Sequence, residues 1–345
     1  MIEAMKARIG RVQTVLGLVA PGSLGQVSMH EHLHSDMWDA RADQMIEEER
    51  PTSPERLQFL MNDAVPLLRE CREKHGMNAY CDTTMPPYRA WPDVYEKVSA
   101  ASGVQIIMST GFYREIETGT YMITSPDRAI WPFVRTASVE ELEEFCVKEI
   151  VEGIHGTSVR AGCIKLATSR AALTPVESKA FRAGAQAQIR TGVSITTHCT
   201  KLGAESSQLM LLDREGVDLN RVVIGHTAWH ISDKSYRHTV MDWMKRGASF
   251  LPTNLKVTKP EDWRPMVESF HEIFAAGLGE KLVLGMDHGY GSEKGVFEPM
   301  WFMPPPPFRY LFDQVLPVLR TLGLTAEEER AVMETNPARL LAIAG

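Results

Sequence analysis

The sequence contains no Cys-x-x-Cys pair, and its five cysteines (Cys71, Cys81, Cys146, Cys163 and Cys199) are scattered and odd in number. A disulfide scaffold or a cysteine zinc site is therefore not indicated, and buried structural thiols in a reducing compartment are expected. No apolar run reaches the length of a membrane span. The segment Met1–Gly10 carries Glu3, Lys6 and Arg8 and lacks the apolar stretch of a secretory signal, so a cytoplasmic location is expected. There is no basic run, and the net charge is −7, which argues against nucleic acid or anionic membrane as a partner. No Gly-x-Gly-x-x-Gly follows the first strand-like run, so a dinucleotide fold has no fingerprint here. No linker or composition shift divides the 345 residues, which are read as one domain.

What is present is an alternation. Arg11–Ala20 and Gly25–His30 read as strand segments around the turn Pro21-Gly22-Ser23-Leu24, giving an N-terminal hairpin over about residues 11–30. A polar, tryptophan-containing loop then runs to Pro51. A helix opens at Thr52-Ser53-Pro54-Glu55 and stops at His75-Gly76, followed by a strand over 78–82. Further helices are expected over 92–101, 138–153, 174–192, 205–216, 232–247, 260–277 and 307–323. The strands between them are expected over 104–109, 161–167, 193–198, 221–225, 249–252 and 281–286. Short helices, one after Thr325 and one capped by Asn336-Pro337, close the chain over about 325–344. About eight strand–helix units in series is the count that closes an α/β TIM barrel of the (β/α)8 type.

In such a barrel the chemistry sits at the C-terminal strand ends. Met29-His30-Glu31-His32-Leu33 puts two imidazoles on one strand face, because alternate residues share a face. Alone this is a weak signal, and an isolated His-x-His is more often a surface accident. Later strand ends add Lys165, His198, His226 and Asp287, whereas chance would scatter such residues among helices and strand starts too. Each has a plainer alternative. Lys165, in the apolar run Ala161–Ala167, either sends its ammonium to the rim or is buried, turns neutral and reacts with carbon dioxide to give a carbamate. His198 and His226 fit hydrogen-bonded core histidines, and Asp287 fits a cap or turn. Taken together, the residues point to a metal centre.

These motifs resemble the phosphotriesterase-like group of the amidohydrolases. The likeness runs from Thr14-Val15-Leu16-Gly17 through Met29–Leu33, Ala161–Lys165, Thr196-Thr197-His198, Ile224-Gly225-His226-Thr227 and Leu284–Asp287 to Thr335–Leu341. It implies two divalent ions, zinc or else manganese, cobalt or iron, bridged by a carboxylated Lys165 and a hydroxide. His30, His32 and Asp287 would hold the more buried ion and His198 and His226 the more exposed one. Asp287 would double as the acid/base group. Tyr113 matches a tyrosine that lactonase-like members place over the metals; otherwise it is a loop aromatic.

The pattern departs from the family where Ala228, followed by Trp229, replaces an aspartate. After strand 7 there is no histidine, and none of the arginine of lactonases between Phe250 and Trp263. His230 or His288 is the candidate replacement in the proton relay. The loop Met300-Trp301-Phe302-Met303 walls an apolar substrate site or forms a subunit contact, and Pro304–Pro307 leads into the last large helix.

The expected function is metal-dependent hydrolysis of a lactone, a carboxylic ester or an organophosphate triester, a small-molecule substrate, by a homodimer. The alternatives are a one-ion amidase or deaminase, and a barrel that binds a small molecule without turnover.

Overall fold

The computed structural model of the chain describes residues 2–36, 49–115, 132–256, 259–293, 296–300 and 303–345. Residues 37–48 of the polar loop, with its tryptophan, and Trp301 and Phe302 of the later loop, lie outside the described residues.

The N-terminal hairpin is tighter than its sequence suggests. Val12–Thr14 (β1) pairs antiparallel with Gly17–Val19 (β2), and Pro21–Ser23 is a 3-10 turn. The third segment, Val27–Ser35 (β3), does not belong to the hairpin. It is buried along its whole length, as a parallel strand covered on both faces must be.

From β3 the sheet proceeds in chain order through Ala79–Asp82 (β4), Gln105–Gly111 (β5), Cys163–Ala167 (β6), Ser194–His198 (β7), Val222–Gly225 (β8) and Ser249–Leu251 (β9). Each strand pairs in parallel with the next. The connecting helices begin and end where local chemistry demands. Ser53 accepts a hydrogen bond from the Arg56 amide ahead of Pro54–His75, which ends at Gly76 with φ of 70°. Ser138 and Thr174 form capping boxes with Glu141 and Glu177 at Val139–Val151 and Pro175–Thr191. Val27, Met29, Cys81, Ile107, Val223 and Val283 fill the barrel interior, while a larger apolar cluster lies between sheet and helices.

The barrel closes through a seam. Residues 281–286 form no regular ladder strand, contrary to expectation. The Val283 amide donates to the Phe250 carbonyl at 3.1 Å, the Met29 amide to Leu284 at 2.9 Å and the Asp287 amide to His30 at 2.8 Å. The physical reason for the broken ladder is Glu31, whose carboxylate takes the amides of Met286 (3.2 Å) and His288 (3.0 Å). A side chain thus stands in for part of a backbone ladder. Gly285 is required here, since a Cβ would meet the His30 nitrogen at 2.7 Å.

Four further expectations are corrected. The stretch after Asp287 is a hairpin, His288–Glu293 (β10) with Val296–Pro299 (β11), and β10 extends the sheet beside β3. The helix expected over 232–247 is two, Ala228–Ser232 and Arg237–Lys245, separated by a turn in which Asp233 accepts from the Ser235 amide. The last large helix starts at Leu311 as a π-turn and becomes Leu316–Thr321, so Pro307 is not in its first turn. Pro317 lacks the N–H for an ordinary i→i−4 bond, which is why the turn before it widens. Pro337 does the same between Ala331–Thr335 and Asn336–Leu341; Asn336 therefore lies within a helix instead of capping it. Among the described residues no helix is long and apolar enough to cross a membrane.

Candidate metal centre

β3 extends beyond both histidines to Ser35, so His30 and His32 sit within the strand, on its inward face. Lys165 is the third residue of β6 and is 1% exposed, which removes the rim reading. His198 ends β7, His226 follows β8 and Asp287 follows the seam. At three successive strand ends the backbone turns left-handed: His226 at φ 61°, Asn254 at 59° and Asp287 at 62°. Such conformations are costly for residues with a Cβ and persist where the surroundings hold them, typically at functional sites.

All six candidate ligands converge. His32 Nε2 lies 2.9 Å and His30 Nε2 3.3 Å from Asp287 Oδ1. Lys165 Nζ is 3.3 Å from His30 Nε2. The His226 ring centre is 4.7 Å from that of His30 and 4.3 Å from that of His198. Ligand atoms of His30, His226 and Asp287 fall within 4.8 Å of one another.

The electrostatics suit a cation. Burial holds the His30 and His198 imidazoles well below their usual range, and Lys165 and His226 add to this respectively. Burial also pushes His226 down to about 3. Burial pushes the Asp287 carboxyl up, but His226 and the contacts with His30 and His32 outweigh it and keep the group ionised. Lys165 is pushed down to about 8 by burial, which brings its neutral amine within reach of neutral pH. Neutral imidazoles then point lone pairs at one another and at a carboxylate. Among the described residues, His30 Nδ1, His198 Nε2 and His226 Nε2 are buried without a hydrogen-bond partner. A buried lone pair facing other lone pairs is unfavourable unless a positive charge lies between them. The donor set fits divalent metal.

Supporting residues carry little sequence signal. Thr84 Oγ1 lies 2.6 Å from His32 Nδ1 and Thr253 Oγ1 lies 2.8 Å from His226 Nδ1, so each hydroxyl orients a ring through its second nitrogen. The Asn254 amide donates to Asp287 Oδ2 at 2.9 Å, in the loop where a relay histidine is missing. A carboxamide orients its partner but cannot take a proton onward. Neither proposed substitute is joined to Asp287 by a hydrogen bond among the described residues. His230 turns to Glu205, and His288 is fully buried, with burial pushing it down to about 3. Tyr113 is buried, with its ring edge-on to His198 at 5.6 Å, and packs in a small cluster with Met85, Tyr88 and Met300. Met300 is the part of the late loop that joins this cluster. Ala228 is buried, and Trp229, the residue after it, is 80% exposed.

A parallel barrel with this inward set of histidines, a buried lysine and an aspartate defines a metallohydrolase architecture. The profile of the phosphotriesterase family matches residues 10–341, and the chain belongs to that family of metal-dependent hydrolases. Its similarity to individual members is distant but spans their length. An N-acetyltaurine hydrolase of Dictyostelium discoideum is 24% identical over 98% of this chain and 100% of its own. A phospho-furanose lactonase of Mycoplasmopsis synoviae is 26% identical over 96% and 91%. The solved organophosphorus hydrolase of Deinococcus radiodurans superposes with a TM-score of 0.74, at 28% identity and 97% coverage of both chains.

Proposed function

We propose that the chain hydrolyses an ester-like bond of a small molecule (a lactone, a carboxylic ester or an organophosphate triester) at a centre of two divalent ions, zinc in the first instance. The observation that carries this reading is the convergence of His30, His32, Lys165, His198, His226 and Asp287 with unsatisfied buried nitrogens among them. Bound there, the ions would supply a Lewis acid and a water acidic enough to act as nucleophile at neutral pH. His30, His32 and Asp287 would hold the inner position and His198 and His226 the outer. Lys165, as a neutral amine, would add carbon dioxide, release a proton and present two carbamate oxygens between the positions.

Asp287 holds and moves the proton. Its Oδ2 is oriented by the Asn254 amide and Oδ1 by the imidazoles of His30 and His32. Because Asn254 cannot pass a proton on, Asp287 returns it to solvent or to the leaving group without a histidine relay. Tyr113 and Met300 orient the substrate and exclude water from its apolar part. A cytoplasmic homodimer completes the proposal.

A second reading, cleavage of an amide, is favoured by the likeness to an N-acetyltaurine hydrolase. The test is one preparation, reconstituted with zinc, manganese or cobalt and offered a lactone, an aryl ester, a phosphotriester and an N-acetylated amine. Metal-dependent turnover of an ester-like substrate is expected. Turnover of the amide alone transfers the assignment to the second reading, and metal-loaded protein inert on all four overturns both.

A further inference from the structure

Behind His198 and His226 lies a second set of ligand-type side chains that the proposed hydrolysis does not use. Cys199 follows His198, Glu205 lies in the first turn of the helix Ala204–Arg214, and His230 lies in the helix Ala228–Ser232 that follows His226. All are buried, at 0%, 0% and 1% exposure. Their ligand atoms lie within 4.8 Å of one another. Cys199 Sγ is 3.8 Å from His230 Nε2, which is 3.3 Å from Glu205 Oε2. The Lys201 carbonyl oxygen joins them, 3.3 Å from Nε2 and 3.8 Å from Sγ.

These are the separations of a tetrahedral ion's ligands. Bonds of about 2.3 Å to sulfur and about 2.0–2.2 Å to nitrogen and oxygen place neighbouring ligands roughly 3.3–3.6 Å apart. The carboxylate is already aimed: Tyr236 and Ser206 hydroxyls donate to Oε1, the latter at 3.0 Å, and the Gly203 amide to Oε2 at 2.9 Å. Such outer contacts fix a ligand's orientation before any ion arrives. A carboxylate and a thiolate together neutralise a divalent charge, which permits it to be buried. The loop over the cluster, residues 200–202, is exposed and provides a way in.

We propose that Cys199, Glu205, His230 and the Lys201 carbonyl form a separate structural site for a zinc-type divalent ion, clamping the end of β7 to the helix after β8. On binding, the Cys199 thiol releases its proton to solvent and the sulfur bonds the ion, while the His230 proton leaves Nε2 and is carried on Nδ1, freeing the Nε2 lone pair for the ion. Without an ion the same contacts are a hydrogen-bonded network with the proton on His230 Nε2.

Cobalt separates the two. The full-length chain is saturated with Co2+, and its near-ultraviolet absorption, metal content and circular dichroism are measured alongside Cys199→Ser and His230→Gln. The main centre offers only nitrogen and oxygen, so a sulfur-to-cobalt charge-transfer band reports this site alone, whatever becomes of the hydrolytic reading. The wild type is expected to show the band and to hold about one ion per chain more than either variant, each losing the band with its fold retained. No band in saturated wild type overturns the proposal, and so does a band that survives in either folded variant. Should a variant fail to fold, the wild-type spectrum and the other variant decide.

Discussion

In the proposed mechanism Asp287 both coordinates and accepts a proton, and its contacts suit both roles: imidazoles on Oδ1 and the Asn254 amide on Oδ2. Asp287→Asn preserves shape and removes the proton acceptor. Steady-state turnover should fall about 10²- to 10⁴-fold with the circular dichroism unchanged; near-normal turnover would take the acid/base role away from this residue. Lys165 poses a sharper question, because a bare ammonium beside cations repels them and only the carbamate binds. Lys165→Ala should lose metal and activity together and recover part of both in a short carboxylic acid. Lys165→Arg should not recover, since its guanidinium stays charged. Elemental analysis with and without the acid checks both variants.

At the scale of elements, the seam is where single atoms matter most. Gly285→Ala would press a methyl group against the His30 backbone at 2.7 Å and its Cβ at 2.9 Å. Overpacking of this kind costs about 1–3 kcal/mol, and it displaces the strand that carries two ligands. A lower melting temperature together with weaker metal retention is expected; loss of stability alone would mean the seam yields without moving His30. A second joint is Arg89, which donates to Glu49 at 2.7 Å, to Glu149 and to the Ser109 carbonyl at 2.9 Å, tying the loop after β4 to β5 and to the helix Val139–Val151. Burial pushes the Glu49 carboxyl up, but Arg89 and His155 outweigh it, leaving the group below its ordinary 4.5. A group with a folded value below its unfolded one contributes stability that is present above the unfolded value and lost as pH falls through the folded one. Denaturant midpoints should therefore drop from about pH 4.5 downward in wild type, and drop less steeply in Glu49→Gln, which starts from a lower midpoint at neutral pH.

Over the whole molecule, an ion that binds only the folded chain stabilises it by mass action, about 2.7 kcal/mol at a hundredfold excess over Kd. Stripping metal with a chelator should lower the melting temperature, and readdition with bicarbonate should restore it; a chelator-insensitive melt would contradict a metal centre of this size. The barrel and the placement of the candidate ligands at strand ends were legible in the sequence because strand alternation, helix caps and strand-end placement are local signals. Capping boxes at Ser138 and Thr174 and the cap at Ser53 stand where their motifs predict. The seam was not legible, since Leu282–Met286 takes its partners from Glu31 and Phe250, hundreds and tens of residues away. Nor were Thr84, Thr253 and Asn254, ordinary polar residues whose roles arise only when separate strand ends meet. The hairpin after Asp287 was hidden because its glycines and serine read as loop.

The seam has a further consequence for how the protein comes into being. His32 and Asp287 are 255 residues apart in sequence, yet they touch. During synthesis the first two histidines leave the ribosome long before the aspartate, so, under the proposed assignment, a nascent chain has no complete inner position to offer a passing ion. Under the proposed assignment, filling of the inner position is thereby postponed until almost the last strand has been made, and a chain truncated before Asp287 should leave that position empty however much metal surrounds it.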